Sequence, residues 1–215
     1  ERRAPHINHM IQALKHMNIQ LNLVLSDITG MSGMAMLRAI IAGERDPLQL
    51  ATFRQPGCKH SEAEIVKALT GKWDDAQLFI LKQSVDLFDY YTSKISESDT
   101  QLERQYQAME SRFEKDAPLP DLPPAKGDSN SKNAMSFNAR AQIARVIGVD
   151  LVAVMGLSAI TVQTIISEIG TDMELFPTVK HFCSWLGLAP HNDKSGGKVL
   201  RSRTMKVRNR ANQAF

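Results

Sequence analysis

Apolar residues recur at spacings of three and four along most of the chain, which is the period of an amphipathic helix. Ile7, Met10, Ile11, Leu14, Met17, Leu21 and Val24 form one such stripe. They predict a helix from His6 to Leu25 that begins just after Pro5. Gly30 and Gly33 interrupt the pattern, and a second helix is predicted from Met34 to Ala42, closed by Gly43. A short segment from Leu48 to Phe53 follows the GERDP turn. Ser61 with Glu64 three positions later predicts a capping box at the head of a helix that reaches Leu69.

The longest periodic run lies between Asp74 and Lys115. Leu78, Leu81, Val85, Phe88, Thr92, Ile95, Asp99, Leu102, Tyr106, Met109 and Phe113 alternate steps of three and four. A helix of that length spans roughly 60 Å at 1.5 Å per residue, too long for one small core to cover. The pattern therefore predicts a coiled coil and a dimer or tetramer, against the plainer reading of an amphipathic helix packed on its own domain. Residues 116–134 are proline-rich and lack periodicity, and they predict a connector. Beyond it, helices are predicted over Met135–Ile147, Ala159–Ile169 and from Pro177 to Gly187, with a tight turn at Met155–Ser158. The expected class is all-α, in four parts: a helical region at 1–73, a coiled-coil helix at 74–115, a linker at 116–134 and a small helical domain at 135–215.

Charge changes this picture at one end. From Lys194 onward there are seven Lys or Arg (Lys194, Lys198, Arg201, Arg203, Lys206, Arg208 and Arg210) and no Asp or Glu. The whole chain is only +3, so the preceding residues sum to 3 − 7 = −4. Positive charge concentrated beside the polar stretch HNDKSGGK points to an anionic partner, and nucleic acid is the natural one. Ser195, between Lys194 and the Gly196–Gly197 pair, puts a hydroxyl where amides and cations can surround a phosphate. On spacing alone, a solvated SGGK loop remains the competing reading.

The turn Val154–Thr161, VMGLSAIT, offers a second phosphate contact. Gly156 and Ser158 stand where a helix-hairpin-helix presents backbone amides at a helix N-terminus. An ordinary helix–helix turn with Ser158 as N-cap accounts for the same residues. His9 and His16 share a helical face with His6 but have no Cys or acidic companions at ligand spacing, so no metal site is expected here. His191 is a weak candidate for a general base, and Phe182, Cys183 and Trp185 are expected to pack. Cys58 and Cys183 are too few for a disulfide framework. No apolar run approaches the roughly 20 residues of a membrane span, and no signal peptide is evident. A cytosolic protein is expected.

The segment SEIGTDMELFPTVKHFCSWLGLAPHNDKSGGKVLRSRT, with GERDPLQLA and VMGLSAIT upstream, resembles the transposases of the insertion sequence 110 and 1111 group. The resemblance covers nearly the whole chain and is most specific over residues 165–204. It implies an RNA-guided serine recombinase that moves bacterial mobile DNA, and Ser195 matches the serine that attacks DNA. It also implies an N-terminal RuvC-like nuclease domain whose four acidic residues bind metal, with Mg²⁺ expected there. No RuvC-like strands precede the helices read here, so that domain is expected to be absent from this fragment, which is also expected to stop short of the family's C-terminal end. The partners implied are DNA, a structured guide RNA and further copies of the chain, in a nucleoid-associated setting. Two readings compete with an enzyme: a non-enzymatic nucleic-acid-binding module and a coiled-coil scaffold.

Overall fold

Residues 2–113, 121–122, 134–204, 207 and 209–214 are described in the computed structural model. They form two units, residues 1–97 and 98–215, and the division falls inside one long helix. The described residues are mainly helical, as expected, with a single two-stranded sheet.

The first unit holds α1 (Ala4–His16), α2 (Leu21–Val24), α3 (Met31–Ala42), α4 (Pro47–Ala51), α5 (Glu62–Leu69) and the start of α6 (Asp75–Ala108). The single helix expected over 6–25 is divided at Asn18, which adopts φ 59°. Asn tolerates that left-handed conformation better than most residues. The break is satisfied by tertiary hydrogen bonds, since Gln20 N donates to Ala68 O at 2.8 Å and Lys72 N to Met17 O at 2.8 Å. Local periodicity carries no sign of them. Gly33 lies within α3 rather than ahead of it. A Cβ there would sit 2.1 Å from Ile28 O, so glycine permits α3 to pack directly on the preceding backbone.

Helix α5 opens as expected. Ser61 Oγ accepts from Glu64 N at 3.3 Å, and Glu64 Oε2 accepts from Ser61 N at 2.8 Å. The Ser61 N–H and hydroxyl, both donating to its carboxylate, hold Glu64 down at about 2. The core of this unit gathers Met10, Leu14, Leu37, Ile40, Leu50, Ile65, Leu69 and Leu81, all fully buried.

The seam expected of a coiled coil is covered in part by the chain itself. Leu81, Val85 and Phe88 of α6 are buried in the first core. Tyr106 is buried in a second core, with Leu102 packed against it, beside Ala139, Ile143, Val146, Val162 and Ile166. The two cores share the covered part of the helix, while Met109 and Phe113, the last positions of the expected seam, are 45% and 41% exposed. Between them residues 92–98 are exposed, Ile95 at 44%. Among the described residues, no helix is long and apolar enough to cross a membrane.

The second unit contains the end of α6, then α7 (Ala139–Ile147), a 3₁₀ turn (Leu151–Ala153), α8 (Ala159–Ile169), α9 (Val179–Trp185), β1 (Pro190–Ser195), β2 (Lys198–Thr204) and α10 (Arg210–Ala214). Helix α7 starts later than expected because Asn138 caps it, its side chain accepting from Ala141 N. Thr178, not Pro177, caps α9 in the same way. Arg145 of α7 donates to the carbonyls of Tyr106 and Met109 at the end of α6. Tyr106 donates to Gln163 Oε1. Burial pushes the Tyr106 hydroxyl up to about 12. Arg140 and Asp150 form a largely buried ion pair, 2.6 Å between Nη2 and Oδ2, that fixes the turn after α7.

Candidate nucleic-acid interface

The segment around Ser195, expected as a loop in an all-α domain, is a β-hairpin. Strands β1 and β2 pair antiparallel, with Ser195 opposite Lys198 and Gly196–Gly197 as the two-residue turn. The φ angles of these glycines are 55° and 77°. A two-residue turn of the kind that matches strand twist needs positive φ at both positions, so the glycine pair has a structural role before any other. Open space surrounds both: a Cβ added at either would meet nothing within 4 Å. The polar flanks hid this hairpin. Strands with solvent on both faces carry no alternation of apolar and polar residues, and the Gly-Gly pair was the one signal available.

The pairing continues with Lys194 opposite Val199, Asp193 opposite Arg201, Asn192 opposite Ser202, His191 opposite Arg203 and Pro190 opposite Thr204. Leu200 has no partner, so the register is broken between Asp193 and Lys194 by a one-residue bulge in β2. Ser195, Lys198, Arg201 and Arg203 thus stand on one ribbon, and every described side chain from Asn192 to Thr204 is exposed. Lys194 pairs with Val199 and belongs to the other face.

The hairpin is anchored at its base. Phe182 and Trp185 of α9 meet Phe176 edge-on, at 5.1 and 5.6 Å between ring centroids. Ile165, Leu186 and Ala211 form a small buried cluster joining α8, the end of α9 and α10. Asn212 Nδ2 donates to Leu186 O at 2.7 Å. Chain leaving α9 and chain entering α10 are therefore held together, as a projecting two-stranded arm requires. Arg210, expected to meet phosphate, lies 3.4 Å from Glu168 in an exposed ion pair. Lys206 and Arg208 lie outside the described residues.

At the other expected contact, Val154–Leu157 closes a turn through Leu157 N to Val154 O at 3.1 Å, with Gly156 at φ 92°. Ser158 is the N-cap of α8: its Oγ accepts from Thr161 N at 3.1 Å. The plainer reading accounts for Ser158, whose hydroxyl is engaged with its own helix. Gly156 is open, and Met155 beside it is 99% exposed. Among the described residues, no three His, Cys, Asp or Glu converge as metal ligands. The described donor set does not make a Mg²⁺ site.

With this geometry in place, residues 150–215 match the family model described as Transposase IS116/IS110/IS902 family. The match begins at Asp150 and takes in the Gly156 turn, α8, α9, the whole hairpin and α10. The match makes this C-terminal region similar to that family. No curated protein and no solved structure matches the chain.

Proposed function

We propose that the chain is part of a DNA transposase of the insertion sequence 110 type and that Ser195 is its nucleophile. The observation that carries this reading is the hairpin: the serine sits at the turn of an exposed arm, opposite Lys198, on the ribbon that holds Arg201 and Arg203. The family match over the same residues supports it. In the step proposed, the Ser195 oxygen bonds to phosphorus and the bond from phosphorus to one DNA oxygen breaks. The serine proton ends on the released DNA hydroxyl. One phosphodiester replaces another, so the link is reversible and suited to strand exchange. Lys198, Arg201 and Arg203 neutralise the charge that builds on the phosphoryl oxygens. A guide RNA, Mg²⁺ bound by a RuvC-like domain and assembly into dimers or tetramers belong to the same proposal for the complete enzyme.

The test is covalent trapping. The complete protein, incubated with its element's DNA and denatured, should carry DNA on residue 195. Ser195→Ala should remove the adduct and reduce strand exchange by more than 10³, beyond the loss of one hydrogen-bond donor to phosphate. Its DNA affinity should stay within about twofold. Exchange by the Ala variant within tenfold of wild type would leave a nucleic-acid-binding module as the better reading.

A further inference from the structure

Cross-strand partners in an antiparallel ladder share a face, and successive residues alternate between faces. Starting from Ser195 opposite Lys198, unbroken pairing would set Asp193 opposite Leu200, Asn192 opposite Arg201 and His191 opposite Ser202. Arg201 and Arg203 would then point away from Ser195. The observed ladder skips Leu200 and sets Asp193 opposite Arg201 and His191 opposite Arg203. The bulge reverses the parity of β2 beyond Val199. It brings Arg201 and Arg203 onto the face that Ser195 and Lys198 already share, with Asp193 as the one acidic residue among them. Packing does not explain the extra residue, because Leu200 is 70% exposed.

We propose that the register of the hairpin, with Leu200 left unpaired between Val199 and Arg201, sets Lys198, Arg201 and Arg203 in a row for the sugar-phosphate backbone of one nucleic-acid strand, running along the hairpin from Ser195. The inference rests on the nucleic-acid reading above and adds where the strand lies. Residues on one face of a strand repeat every ~6.8 Å, two residues of ~3.4 Å. One nucleic-acid strand advances ~3.4 Å per phosphate along its axis. Cations at this step follow a strand rather than crowd one phosphate. The row also separates cations of equal exposure: Lys194, one residue from Ser195, stands on the far face and takes no part.

The test uses the 215-residue chain and a random-sequence oligonucleotide, as duplex and as single strand, with affinity measured across salt. Arg201→Gln with Arg203→Gln should flatten the slope of log affinity against log salt by about 1.8 on duplex or about 1.4 on a single strand. The form that shows the full change identifies the strand's source. Lys194→Gln should leave the slope unaltered. Deleting Leu200 turns the bulge into a regular ladder without moving Arg201 or Arg203 to the other face, and should keep the wild-type slope. Leu200→Ser, which retains the length, should do the same and guards against a deletion that merely unfolds the arm. One Ser inserted after Leu200 shifts the parity again and should flatten the slope as the double Gln variant does. A Lys194→Gln effect equal to that of one arginine would overturn the row. So would a slope lost on both deletion and Leu200→Ser, or one untouched by the double Gln variant. Covalent trapping at Ser195 is read separately, so a failed row and a failed nucleophile give different results.

Discussion

In the first unit Met10, Leu14, Leu37, Ile40 and Leu81 are fully removed from water, while in the hairpin Val199 and Leu200 are 52% and 70% exposed beside a line of cations. Each side chain of the first group is accounted for by the fold, since apolar area removed from water stabilises by roughly 25 cal/mol per Å². The hairpin gains almost nothing of this kind. Its ladder and its glycine turn hold it in shape, yet Lys198, Arg201 and Arg203 add no burial to the chain that carries them. Residues that the fold does not require are the ones to assign to a partner. By this criterion the chain has a part built for itself and an arm that the proposed function assigns to an anionic partner.

Substitutions in the buried part should show the largest effects. Leu37→Ala removes a fully buried side chain between packed helices and should cost about 3 kcal/mol in urea unfolding. A loss below about 1 kcal/mol would mean that the first core is not closed as described. Arg140→Ala should cost about 2 to 3 kcal/mol, because it leaves Asp150, 20% exposed, without its cation. The same pair gives a pH signature. The Arg140 guanidinium holds the Asp150 carboxyl below its ordinary 3.8. A depressed carboxylate contributes stability that is present above the unfolded value and is lost as pH falls through the folded one. Wild type should therefore lose stability below about pH 4 more steeply than Arg140→Ala. Parallel acid profiles would show that the pair is not formed.

The two regions also differ in how far they were legible beforehand. Ser61 and Glu64 name their capping box outright, and Gly43 ends its helix as expected, because these signals act within a turn of the chain. Asn18 carries no such local signal, because the break beside it is held by Ala68 and Lys72, about fifty residues further along the chain. The α6 seam was correctly apolar, but periodicity does not say whether the covering surface belongs to the same chain. In the site, the resemblance and the charge run singled out Ser195 and its cations. The hairpin and its bulge stayed hidden, since register is a property of pairing and not of composition. Lys194 shows the cost: the closest cation in sequence stands on the opposite face.

A third substitution separates the arm from the core. Gly197→Val places a β-branched residue at φ 77°, where L side chains are strained, and should cost about 1 to 2 kcal/mol within the hairpin. Amide exchange in 190–204 should accelerate while the unfolding midpoint of the cores stays put. Gly196→Asn, a residue that tolerates positive φ, should be far milder. A midpoint that falls with the hairpin would show that the arm and the cores unfold together.

The smallest effect is expected where the comparison is most exposed to failure. Val199 and Leu200 are the apolar residues of β2, and a hairpin that packed on its own unit would bury them. Val199→Thr combined with Leu200→Ser keeps the length of the strand, the glycine turn and every cation. With both side chains more than half exposed, each change should shift stability by no more than about 0.5 kcal/mol, the usual range for surface positions. Thr also suits a strand as well as Val does, so pairing opposite Lys194 should persist. A loss of 2 kcal/mol or more from the pair would mean that the arm is seated on apolar surface. Its cations would then be partly explained by the fold, and the assignment of the hairpin to a nucleic-acid partner would lose its main support.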